Sequence, residues 1–162
     1  MKKIQPWLGL AARLILGGTL IAAGYLKFDE LDKSQMAVRA YELLPIPLAN
    51  FMGIFLPFFE LAVGILLVIG AGVRINGALS ALLMIAFMIG ISQAWARGLS
   101  IDCGCFGGGG KVPEGEANYL TPLLRDTGLA LLGIYLTLFP HTKFGLDKKP
   151  QSATQLGEGT HG

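Results

Sequence analysis

Charge is scarce in this chain. Asp, Glu, Lys and Arg make up 15% of its 162 residues, where an ordinary soluble domain carries about 25%. So little charge cannot cover a soluble globule of this size. Cysteine is nearly absent, at two residues, which excludes a disulfide-stapled scaffold and a four-ligand zinc site built from cysteine alone. A basic surplus is missing as well. The net charge is +2, and no basic run is interleaved with aromatics, so nucleic acid is not a partner. The 23 glycines follow no Gly-X-Y period, which excludes collagen, and no fixed-period repeat is visible. What is abundant is apolar: 52% hydrophobic residues and a mean hydropathy of +0.57. That composition is too apolar for disorder and describes an integral membrane protein.

A membrane-spanning helix needs about 20 mostly apolar residues. Four stretches qualify, at about 7–28, 51–69, 75–95 and 120–139. The expected fold is all-α: an antiparallel four-helix transmembrane bundle over residues 1–144, then a disordered polar tail over 145–162. The first span follows Lys2-Lys3 and could be read as a signal peptide. Its apolar run exceeds the usual h-region of about 7–15 residues and contains Arg13, so it is read as a retained helix. The short turn Gly70-Ala71-Gly72 makes spans two and three an antiparallel hairpin, and Pro57 is expected to kink span two. Gly17, Gly18, Gly24, Gly64, Gly77, Gly90, Gly128 and Gly133 read as helix-packing faces.

Lys and Arg divide evenly between the two sides of such a bundle. Orientation therefore rests on Lys2-Lys3, which precede the first helix with no acid nearby. Both termini are expected in the cytoplasm of an inner-membrane protein, with the loop 96–119 in the periplasm.

Chemistry concentrates in that loop, at Ile101-Asp102-Cys103-Gly104-Cys105-Phe106 followed by Gly107 to Gly110. A Cys103–Cys105 disulfide would close a very small ring, for which Gly104 supplies the bend. Such a ring removes little loop entropy, so it suits a labile redox bond better than a structural one. Two other readings stay open: a pair of idle small residues, and two thiolates for a soft ion such as copper or mercury. Gly107 and Gly108, with Gly104, read as a hinge that lets the thiols reach a partner. The run lacks the Lys-Ser/Thr ending of a phosphate loop. Cys105 is favoured slightly as the attacking thiol, because the glycines after it should leave it accessible. Met84 and Met88 read as core, and His141 and His161 lie on the other side.

Two charges fall well inside spans, Arg13 and Glu60. They are expected to form a buried pair, or Glu60 to relay protons beside a quinone pocket. The bland alternative is that Arg13 snorkels to headgroups and Glu60 is protonated. Lys27, Arg97, Arg125 and Asp126 fall level with the cysteines. Arg97 and Arg125 bracket the loop and are the candidate cations for lowering a thiol pKa; Asp126 is expected to pair with a base or cap a helix.

The run Ala23-Gly24-Tyr25-Leu26-Lys27 after Arg13 and Gly17 resembles the first helix of DoxX-like membrane proteins. So do the blocks Tyr41-Glu42-Leu43-Leu44-Pro45 and Leu56-Pro57-Phe58-Phe59-Glu60-Leu61. Cys103-Gly104-Cys105-Phe106-Gly107 followed by Leu124-Arg125-Asp126 is similar to the MauE branch, associated with methylamine utilisation. The resemblance covers about residues 8–140. It implies a four-helix redox-associated membrane protein working with a periplasmic thioredoxin-like partner. The implied client is the disulfide-rich small subunit of methylamine dehydrogenase. The competing functions are a non-catalytic assembly factor for a secreted subunit and a soft-metal transporter.

Overall fold

A computed structural model describes residues 4–106, 108–142 and 145–146. Among the described residues five helices form: α1 (Gln5–Asp29), α2 (Leu31–Ala40), α3 (Ile46–Ile69), α4 (Val73–Ala96) and α5 (Leu120–Leu138). Between α4 and α5 lies a small antiparallel hairpin of β1 (Ile101–Asp102) and β2 (Gly110–Lys111). Helices α1, α3 and α4 are long and apolar enough to cross a membrane, so the chain is a membrane protein. Helix α5, at 19 residues, carries Arg125 and Asp126 and packs along α4.

The helix ends follow local chemistry. Pro45 caps α3 and Pro47 sits in its first turn, where a missing N–H costs nothing. This starts α3 at Ile46, five residues before the expected boundary. Helix α3 continues through Pro57 as a single helix. Gly70 and Gly72 both adopt left-handed backbone, closing α3 and opening α4.

Close packing does not run across that tight turn. The most extensive helix pairs are α1 with α3 and α4 with α5, and glycines explain the choice. A Cβ on Gly17 would lie 2.9 Å from the carbonyl oxygen of Gly64, and one on Gly64 2.9 Å from that of Gly17. Gly77 and Gly133 face each other across α4 and α5 in the same way, at 3.0 and 2.8 Å. Backbones can approach this closely only without side chains between them. Gly18 and Gly128 have open space beside them and make no such contact.

Helix α2 occupies what reads in the sequence as loop. It lies across α3, with the Ser34 hydroxyl donating to the Gly53 carbonyl at 2.7 Å. A Cβ on Gly53 would come within 2.5 Å of Gln35 Cα. At the opposite end of the bundle, the Arg13 guanidinium donates to Thr142 Oγ1 at 2.9 Å, and the Leu146 amide donates to the Gly70 carbonyl. The charged N-terminal residues and most of the polar tail lie outside the described residues.

Candidate functional site

The hairpin pairs Ile101 with Lys111 and Asp102 with Gly110, so residues 103–106 and 108–109 lie at its tip. The tip is packed, not free. Gly104 has φ +66°, and a Cβ there would sit 2.5 Å from Ala37 Cβ on α2. A Cβ on Gly109 would meet the same atom at 2.5 Å, and one on Gly108 would meet the Asp102 carboxylate at 2.5 Å. Glycine is needed here to dock the turn onto α2. The expected flexible hinge is therefore a close-packed turn at Gly104 and Gly108; Gly107 lies outside the described residues. The Asp102 carboxylate also accepts the Gly104 amide at 3.2 Å.

The two thiols face different spaces. Cys103 is half-buried and lines a groove of about 250 Å³ with Asp102, Glu116, Asn118 and Thr121. Cys105 is buried, at 6% exposure, which overturns the expectation that it is the accessible thiol. It lines an inner cavity with Lys27, Glu60, Phe87, Arg125 and Asp126. On the same measure this cavity holds about 20 Å³, enough for one water molecule.

Both cysteines are free thiols. The Cys103 thiol is lowered to about 6, chiefly because its thiolate accepts a hydrogen bond from the Cys105 thiol. Burial opposes this, while the Cys105 backbone amide and the Arg125 charge assist it. The Cys105 thiol is pushed up well above its ordinary value, by that same hydrogen bond and by burial. Of the two sulfurs, Cys103 is thus the one whose surroundings favour the thiolate near neutral pH.

Tyr41, just beyond α2, donates its hydroxyl to the Cys103 carbonyl at 3.1 Å. Burial and the neighbouring sulfurs raise its pKa, so it stays a donor. Sequence reasoning gave Tyr41 no role of its own; its one signal was membership of the Tyr-Glu-Leu-Leu-Pro block.

Beneath Cys105, charged groups from three helices meet. Lys27 of α1 contacts both oxygens of Glu60 of α3, at 2.7 and 3.0 Å, and its ammonium lies 5.0 Å from the Phe87 ring centre. Arg125 of α5 donates from Nε and one terminal nitrogen to a single oxygen of Asp126, at 2.9 and 2.7 Å. Its guanidinium also stacks over Phe106 at 4.7 Å. Asp126 is 1% exposed, and its second oxygen, Oδ2, has no hydrogen-bond partner among the described residues.

Six of the expected site residues are therefore assembled: Cys103, Cys105, Lys27, Glu60, Arg125 and Asp126. Two are placed elsewhere. Arg13 does not reach Glu60, because α1 puts it near the α3–α4 turn, where it binds Thr142. Lys27, fourteen residues and about four turns further along α1, takes the carboxylate instead. Arg97 pairs with Glu42 at 3.3 Å and with the Tyr41 carbonyl, so its charge is spent away from the thiols. Among the described residues, no group of three or more His, Cys, Asp or Glu forms a metal-holding cluster.

The fold and the site together define a helical membrane protein that presents a Cys-Gly-Cys turn above a buried charge cluster. The profile of the family Methylamine utilisation protein MauE matches residues 5–139, and the chain belongs to that family. It is 31% identical over 129 residues to "Methylamine utilization protein MauE" of Paracoccus denitrificans, spanning 79% of this chain and 69% of that protein. No solved structure matches.

Proposed function

We propose that the chain is a membrane thiol–disulfide exchange protein serving methylamine utilisation. Cys103 forms the mixed disulfide with a thioredoxin-like partner, and Cys105 resolves it. In this reading α5 is a fourth span of the inner membrane, both termini are cytoplasmic, and the hairpin faces the periplasm, where thiols can be oxidised. The client fitting the family is the small subunit of methylamine dehydrogenase, whose maturation needs disulfides placed correctly.

One observation carries the reading. The only two cysteines share a tight turn, with the lower-pKa sulfur lining an outward groove and its neighbour held behind it. Idle residues would need no such division. A purely structural bond this short would add little stability.

Trapping tests the assignment. Cys105→Ser should accumulate a mixed disulfide through Cys103 with a thioredoxin-like protein, released by reductant. Cys103→Ser should trap nothing. Full client maturation by both single variants would overturn the reading.

A further inference from the structure

We propose that Asp126 is the proton acceptor for Cys105, taking its proton at Oδ2 when Cys105 attacks the mixed disulfide on Cys103. This rests on the exchange reading and adds a residue to it.

Cys103 attacks as a thiolate and needs no base near neutral pH. Cys105 is buried and protonated, and only its thiolate can attack. Water does not reach it in bulk, so a base inside the protein must take the proton.

The groups facing Cys105 leave one candidate. Cys103 and Asp102 lie on its own hairpin, Tyr41 behind α2, Lys27 on α1, Glu60 on α3, and Arg125 and Asp126 on α5; α4 contributes Met84 and Phe87. Cys103 is consumed in the mixed disulfide. Tyr41 is a donor already committed to the Cys103 carbonyl. Asp102 binds the Gly104 amide on the outer side, where it lines the groove with Cys103. Both Glu60 oxygens are held by Lys27. Asp126 has one oxygen held twice by Arg125 and the other unpaired, in a residue 1% exposed that lines the same cavity as Cys105. A buried oxygen without a partner is costly, and the cavity has room for one water to bridge it to the thiol. Arg125 fixes the carboxylate, so the free oxygen keeps its direction.

The Cys103 thiolate attacks a disulfide R–S–S–R′, forming Cys103–S–S–R and releasing R′S⁻. Asp126 accepts the Cys105 proton. The Cys105 thiolate then attacks the Cys103 sulfur, forming the Cys103–Cys105 bond and releasing RS⁻. The protein loses two electrons, and the disulfide substrate gains them. In reverse, Asp126 returns the proton to Cys105 as it leaves.

Reaction of the reduced, detergent-solubilised full chain with the aromatic disulfide DTNB reads both attacks, because each releases one coloured thiolate. Wild type should show two phases. Asp126→Asn should keep the first phase and slow the second about a hundredfold near neutral pH, with the deficit closing at high pH as Cys105 ionises unaided. Asp126→Glu, which keeps a carboxylate, should recover most of the second phase. If Asp126→Asn loses the first phase too, it has not folded, and Asp126→Glu decides: its second phase must shift along the pH axis relative to wild type. An unchanged second phase in Asp126→Asn, a deficit equal at every pH, or an unshifted Asp126→Glu profile overturns the assignment. Absence of a second phase in the wild type would instead refute the exchange reading beneath it.

Discussion

Removing one member of the Lys27–Glu60 pair should damage the fold far more than removing both. The two side chains are 6% and 1% exposed and meet at 2.7 Å. At an effective dielectric of about 20, that contact is worth about 6 kcal/mol of Coulomb attraction. Desolvation of each ion costs several kcal/mol, so the intact pair is near break-even against well-packed apolar residues. A single removal strands the other charge and should cost about 3–5 kcal/mol. The structure makes the two singles unequal. After Glu60→Gln, the Lys27 ammonium keeps the Phe87 face and lies within Coulomb reach of Asp126. After Lys27→Met, both Glu60 oxygens lose the hydrogen bonds they accept here. Lys27→Met should therefore be the worse variant, and Lys27→Met with Glu60→Leu should lie within about 1 kcal/mol of wild type. Denaturant titration in detergent, run as a double-mutant cycle, measures this. A coupling of about 3 kcal/mol or more is expected. Additive singles, or singles each below about 1 kcal/mol, would refute the account of a desolvated pair.

Alkylation of Cys103 in the Cys105→Ala background tests the internal hydrogen bond: its pH midpoint should move up from about 6, because alanine leaves no side-chain donor at position 105. In the wild type, the Cys103 thiolate and its alkylation rate should rise through about pH 6 and be nearly level by neutral pH. An ordinary thiol would still be climbing there. Arg125→Gln should raise the Cys103 midpoint, whereas Arg97→Gln, removing a charge paired with Glu42, should not; equal shifts would contradict the placement. Gly104→Ala adds about 1–2 kcal/mol of left-handed strain and a Cβ against Ala37. It should lift the turn from α2 and speed labelling of Cys105, and an unchanged labelling rate would count against the packed turn. A membrane-impermeant maleimide should label Cys103 in reduced intact cells, and labelling only after lysis would place the hairpin on the other side.

Long apolar runs were legible because lipid demands them. The four stretches read from hydropathy all form helices, α1, α3, α4 and α5, of which α1, α3 and α4 are long and apolar enough to cross a membrane; the largest boundary shift is at the start of α3, where Pro45 and Pro47 begin the helix early. Helix α2 was not legible. It is ten residues, polar along one side, and stabilised by lying on Gly53 and under the cysteine turn. Its signal is tertiary. The same holds for the glycine run after Cys105, whose composition matches a flexible linker. Gly104 and Gly109 are instead the residues that let the turn touch Ala37.

The site was legible as a set of chemical types and not as a set of partners. Buried charge in a membrane must find compensation, and that requirement marked Glu60 and Arg13 as side chains in need of a partner. It could not say which cation reaches Glu60, because Arg13 and Lys27 lie on one helix and only the α1–α3 register decides. That register is set by glycine contacts, Gly17 with Gly64 and Gly24 with the Pro57 carbonyl, which bring Lys27 level with Glu60. The glycines and the ion pair thus belong to one argument. Close backbone approach fixes the register, the register places Lys27 on Glu60, and with both Glu60 oxygens occupied the unpaired carboxylate oxygen beside Cys105 belongs to Asp126.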